Sequence, residues 1–217
     1  MFDFMFYLSS TVISCGNAAG ERLRPTILYP GEHNKFNFSP APEEVFPECK
    51  ARRTTNGCVT AEAYCEWLTE TFVPAVKDIP KPVVLFVDGH STHFSEAIHF
   101  KCQDEGIVYY FLPLHASHIV QPLDLVYYRH LKKTWEEILH DHQSIYGSDV
   151  IHSSEFAIVF GEAWKEAYSP EKMRSSFRAA GLHPFNPEAV KFETCPKNYS
   201  GEHAPKKATL LNQYTPM

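Results

Sequence analysis

Two aspartates stand out by their setting. Asp88 ends an apolar run in "VVLFVDGHSTH", residues 83–93. Asp124 follows "IVQPL" and opens a helical pattern, with thirty-five residues between the two acids. A strand end and a helix start can converge on one point. Two carboxylates brought that close repel and shift each other's pKa unless a cation lies between them. Mg²⁺ is the usual ion, held by one or two carboxylates together with waters and a substrate phosphate. The bland alternatives are a strand-end turn residue for Asp88 and a helix N-cap for Asp124. Gln121 and Pro122 are placed to fix the loop so that Asp124 points at Asp88; the plain alternative is a helix-entry turn. His90, His93, His115 and His118 form two HxxH pairs on the flanking loops, a set that can also bind zinc. Arg129, Lys132 and Lys133 lie on the helix after Asp124, where they can touch phosphate or simply line a solvated face. Arg52, Arg53, Lys172, Arg174 and Arg178 carry the same two readings.

The elements that must position these residues follow from patterning. "TVISCGNAAGERLRPTILYPG" (11–31) reads as strand, turn, strand, and residues 32–59 read as a long loop. Thr60 is a helix N-cap, and Tyr64, Trp67, Leu68, Phe72 and Val76 recur at helical spacing to about Lys77, with a bend at Pro74. "KPVVLFVDGH" is a buried strand, expected at the centre of a sheet with helices on both faces. Ser95 caps a helix to about Asp104, "GIVYYFLP" is a strand, and "LHASHIVQPLD" is a loop. Helices follow from Leu125 to about His142 and over 154–180, split at Ser169-Pro170. After about Glu193 the composition turns polar, so 194–217 is expected to be a frayed tail. The order implies an α/β or α+β fold.

Bulk composition narrows the classes. The 217 residues suffice for one domain with a real core; 44% are hydrophobic and 14% aromatic, which argues against disorder. A net charge of −6 excludes a uniformly basic nucleic-acid coat but leaves room for a local basic patch. No apolar run reaches the roughly 18–20 residues of a membrane span. The start, "MFDFMFYLSS", lacks a basic residue and reads as a strand rather than a signal peptide. Six scattered cysteines without a CxxC pair point to an intracellular chain with reduced thiols. Neither a Gly-rich phosphate loop nor a nucleophile elbow is present.

The stretch "VVLFVDGHSTHFSEAIHFKCQDEGIVYYFLPLHASHIVQPLDLVYYRHLKKTWEE" resembles the DDE superfamily endonuclease domain of pogo/Tigger-type transposases and their jerky-like relatives. "TVISCGNAAGERLRPTILYPG" is similar to that family's second and third strands, and "FGEAWKEAYSPEKMRSSFRAAGLHPFNPEAV" to its C-terminal helical region. The resemblance covers about 9–190 and implies an RNase H-like mixed sheet flanked by helices, within a domain spanning 1–193 whose helical region is 150–190. It implies metal-dependent cutting and joining of DNA, with Mg²⁺ or Mn²⁺, in the nucleus. Asp88 matches the second catalytic acid and Asp124 the third; His90, His93, His118 and Gln121 surround them as supporting groups, and Arg129, Lys132 and Lys133 are the candidates for DNA contact. The family's first acid lies on an earlier strand, so that strand is expected to be missing or replaced, the chain N-terminally truncated and activity weakened or lost. Asp3 is the acid placed to substitute. The alternative is a domesticated, non-catalytic module that binds DNA or protein. No small-molecule cofactor or membrane partner is implied, and a homo-oligomer is left open.

Overall fold

The computed structural model describes the backbone of residues 2–6, 10–31, 36, 38–88, 95–113, 117–147 and 151–190. Its architecture follows from two adjacent strands. β1 (Phe2–Phe6), β2 (Ser10–Ser14) and β3 (Thr26–Pro30) pair antiparallel in sequence order. Successive side chains on a strand point to opposite faces. Val12, Ile27 and Tyr29 therefore enter one apolar core, while Ile13 and Leu28 enter another. α1 (Pro42–Val45) follows, and β4 (Lys50–Thr54) then adds parallel to β3, giving the sheet order β1-β2-β3-β4. β5 (Val83–Val87) and β6 (Ile107–Phe111) form a separate parallel pair.

The Ile13 core is roofed by α2 (Ala61–Trp67), a π-helical turn over Leu68–Phe72, α3 (Val73–Val76) and α4 (Glu96–Asp104). Thr60 starts this rod, its hydroxyl accepting from Ala63 N at 3.1 Å. Pro74 lacks an N–H and its ring crowds the carbonyl four residues back; the wider turn just before it accommodates both. Tyr64, Trp67, Leu68 and Ile98 pack there against Leu85, Val87 and Ile107. The Val12 core is covered by α1, α5 (Ser117–Val120), α6 (Pro122–Leu125), α7 (Tyr127–Tyr146), α8 (Ser153–Ala167) and α9 (Pro170–Ala179). On α8, Phe156, Phe160 and Trp164 recur every fourth residue, fully buried, with neighbouring rings 5.7 and 5.6 Å apart. Tyr127, Leu131 and Trp135 repeat that spacing on α7.

The fold is mixed α/β, with small sheets flanked by helices. Three expectations change. The segment 32–59 is not one loop, because it holds α1 and β4. "KARRT" shows no apolar alternation: Ala51 supplies the core contact, and Arg52 ties outward to Glu70 (3.0 Å) and Glu66 (3.8 Å). "LHASHIVQPLD" likewise holds two short helices, α5 and α6. The strand at 83–87 pairs only with β6 among the described residues and is covered fully on one face. On the other face of the β5–β6 pair, Val84, Val108 and Tyr110 remain 46%, 42% and 53% exposed. A continuous apolar run does not distinguish one covered face from two. The expected tail, 194–217, lies outside the described residues.

Candidate functional site

Asp88 leaves the end of β5, directly after fully buried Val87, whose carbonyl accepts from Leu112 N at 2.7 Å. The strand end is thus a fixed post, and Asp88 is half-buried on it. Asp124 lies in the first turn of α6, also half-buried, after buried Gln121 and Pro122. Phe86 and Pro122, each two residues before an acid, line one cleft of about 340 Å³.

The α6–α7 junction is anchored from three directions. The Ser14 and Tyr128 hydroxyls bond to each other in the interior, tying α7 to β2. Tyr127 N donates to Ser176 Oγ of α9 at 3.2 Å. The Tyr127 hydroxyl accepts from Arg22 at 3.0 Å, and the Arg22 guanidinium stacks between the rings of Trp164 (4.3 Å) and Tyr168 (4.1 Å). Arg22 also donates to the Trp164 carbonyl, so the β2–β3 turn, α7 and α8 meet on one side chain. Only its place in the turn "GERLRP" hinted at this role in the sequence.

Electrostatics join the two acids. The Asp124 carboxyl is pushed up from 3.8 to about 6: burial raises it most, Lys132 opposes the rise, and the Asp88 charge adds to it. Asp88, Asp124 and Lys132 therefore share one neighbourhood. Among the described residues, no group of three or more His, Cys, Asp or Glu side chains is placed to hold a metal ion. His118 is exposed on α5, while His90, His93 and His115 lie outside the described residues. Gln121 is 4% exposed, and its Oε1 has no hydrogen-bond partner among the described residues. Asp3 lies opposite Ile13 in the β1–β2 register.

The basic residues separate. Arg174 and Arg178 pair with Glu171, and Arg52 with Glu70, so these charges are engaged within the chain. Arg129, Lys132 and Lys133 are exposed on α7. Desolvation lowers the pKa of His130 on α7, and the charge of Lys172 on α9 lowers it further, a proximity that sequence spacing did not show.

A mixed α/β scaffold thus carries one acid at a strand end, a second at a helix start and a basic helix after them. The chain belongs to the DDE superfamily endonuclease family, whose model matches residues 8–177. The chain is also 31% identical over 185 residues to a protein of Cochliobolus lunatus named MFS-type transporter clz9. That match covers 83% of this chain but 19% of the fungal protein, so the chain spans about a fifth of that relative's length. No solved structure matches the chain.

Proposed function

We propose that this chain is a transposase-derived DDE nuclease domain of the pogo/Tigger, jerky-like kind, with an RNase H-like ancestry. It binds DNA in the nucleus and holds Mg²⁺ or Mn²⁺ between Asp88 and Asp124. One observation supports the reading: Phe86 and Pro122, each two residues before an acid that matches the family's second or third position, line one cleft, and the Asp88 charge is among those that raise the Asp124 pKa. Two like charges in a half-buried site suit a divalent cation, which offsets both. The family is generally metal-dependent and its substrate class is DNA. When bound, the ion would polarise a phosphoryl oxygen and offset charge on attacking and leaving oxygens. The chain's part is to fix the two carboxylates: β5 holds one, and the Ser14–Tyr128, Arg22–Tyr127 and Tyr127–Ser176 bonds hold the start of α7, directly after the short helix that carries the other. With Asp124 raised to about 6, protons compete with the ion for this ligand as pH falls through that range. The substrate is taken from the family model rather than from the fungal relative's name; no helix among the described residues is long and apolar enough to cross a membrane.

A second reading is a non-catalytic DNA- or protein-binding module. It is favoured by Lys132, whose ammonium already supplies opposite charge to Asp124. Two acids also grip an ion more loosely than three, and a misplacement near 1 Å can cost ~10²-fold in rate. Calorimetry with Mn²⁺ and a plasmid-nicking assay separate the readings. The nuclease reading expects Mn²⁺ binding that Asp88→Asn abolishes and slow nicking that Asp124→Ala removes. Equal heats before and after Asp88→Asn would show the site to be misassigned. Binding without nicking leaves the second reading.

A further inference from the structure

A divalent ion held by Asp88 and Asp124 must take its remaining ligands from neutral oxygens, because no third His, Cys, Asp or Glu side chain joins the pair among the described residues. One neutral oxygen at this site is without a bond. Gln121 is 4% exposed, and its Oε1 has no hydrogen-bond partner among the described residues. A buried amide oxygen left unpaired costs the folded state its lost hydration. Its setting shows why no neighbour satisfies it. Gln121 is the N-cap of α6, and its backbone carbonyl accepts from Leu125 N at 3.3 Å. An N-cap side chain ordinarily accepts from the next backbone N–H groups, yet Gln121 makes no such bond. Pro122, at the first helical position, has no N–H to offer. The donors of the α6–α7 junction are spent elsewhere: Tyr127 N on Ser176 Oγ at 3.2 Å, and Arg22 on the Tyr127 hydroxyl at 3.0 Å and the Trp164 carbonyl. Asp124 is the third helical residue of α6. N-cap and third residue are the positions whose side chains turn towards each other in a capping box. The Gln121 oxygen and the Asp124 carboxylate thus start from adjacent positions, but both are acceptors and cannot bond to each other. A water on a cation turns both protons outwards, which suits an acceptor with nothing else to accept.

We propose that Gln121 is a positioning residue of the ion site: its Oε1 accepts from a water in the shell of a divalent cation held by Asp88 and Asp124. The inference rests on the metal reading above. It goes beyond the loop-fixing part read from the sequence, for which the carboxamide oxygen makes no bond among the described residues. Outer partners of this kind keep a ligating water in place, and removing one costs about 10- to 100-fold in metal affinity.

The test pairs Mn²⁺ calorimetry with thermal melts free of divalent ions. Gln121→Met keeps the length and the apolar stem but removes the acceptor. It should weaken Mn²⁺ binding by about 10- to 100-fold. Without the ion its Tm should be no lower than that of the native chain, because an unpaired buried oxygen is gone. A residue that merely braces the loop would do the reverse: Tm would fall and affinity would hold. Gln121→Glu puts a charged acceptor in the same place. It should tighten Mn²⁺ binding and lower Tm without the ion, since a third carboxylate then joins Asp88 and Asp124. If affinity and Tm both fall in Gln121→Met, the glutamate variant decides: tighter binding upholds the proposal, and unchanged or weaker binding overturns it. Native affinity in Gln121→Met, beside binding that Asp88→Asn abolishes, overturns the proposal and leaves the metal reading standing. If the native chain takes up no Mn²⁺, the metal reading fails and this inference fails with it.

Discussion

Asp124 is held between opposing fields. Burial and the Asp88 charge favour its neutral form, and Lys132 favours the carboxylate; the result is a carboxyl titrating near 6 instead of 3.8. Each influence can be removed singly. Carboxyl NMR should show the Asp124 midpoint falling in Asp88→Asn and rising in Lys132→Gln; unmoved midpoints would mean that the three groups are not neighbours. The stability consequence has a definite sign. A folded pKa above the unfolded one means that the folded state binds the proton more tightly. The ionised acid therefore costs stability in full above pH about 6, the cost shrinks as pH falls from about 6 towards 3.8, and below that it vanishes. Asp124→Asn should accordingly raise Tm at pH 8 and have little effect at pH 4, in thermal melts without divalent ions. The same substitution should remove Mn²⁺ binding. In the native chain that binding should weaken as pH drops through about 6, because protonation removes a ligand. Stability given up at a position that gains chemistry is the usual mark of a functional site.

Elements set where that carboxyl stands, and the Arg22 clamp is the most testable of them. Its planar guanidinium lies between two rings and also donates to Tyr127 and the Trp164 carbonyl. Lysine keeps the charge but loses the flat stack and the fork. Arg22→Lys should cost about 2 kcal/mol in urea unfolding and should weaken Mn²⁺ binding as α7 loosens. Full affinity with lowered stability would show that the clamp supports the fold without positioning Asp124. Elements of this sort differ in how readable they were. β6, the Thr60 cap and the break at Ser169-Pro170 each have a local cause, so the sequence alone placed them. β4 was hidden because its polar Arg52 is satisfied by partners on α2 and the π turn, fourteen and eighteen residues ahead. The two acids could be nominated by type and setting, but their proximity could not. Lys172 was counted only as one basic residue among several; its meeting with His130 joins helices more than forty residues apart. Local signals name elements; which faces meet depends on packing that no short window contains.

At the scale of the whole molecule, two apolar cores share one sheet. The layers themselves are bound together through β2 and β3. Val12 and Ile27 belong to one core, Ile13 and Leu28 to the other, and no residue of either strand can leave one core without disturbing its neighbour in the second. Unfolding should therefore be cooperative across the sheet. The three tryptophans report on this separately. Trp67 lies in the Ile13 core, whereas Trp135 and Trp164 lie in the Val12 core. Trp67→Phe confines fluorescence to one layer, and Trp135→Phe/Trp164→Phe confines it to the other. Comparing fluorescence with far-UV circular dichroism inside each variant removes any difference in their absolute stability. Both variants should show coincident urea midpoints by the two probes, the signature of a single transition. A Trp67 signal that melts ahead of the circular dichroism would mean that the layer carrying β5 and Asp88 opens by itself. The acid pair would then be broken before the fold, and metal affinity should fall at urea concentrations that leave the Val12 core intact.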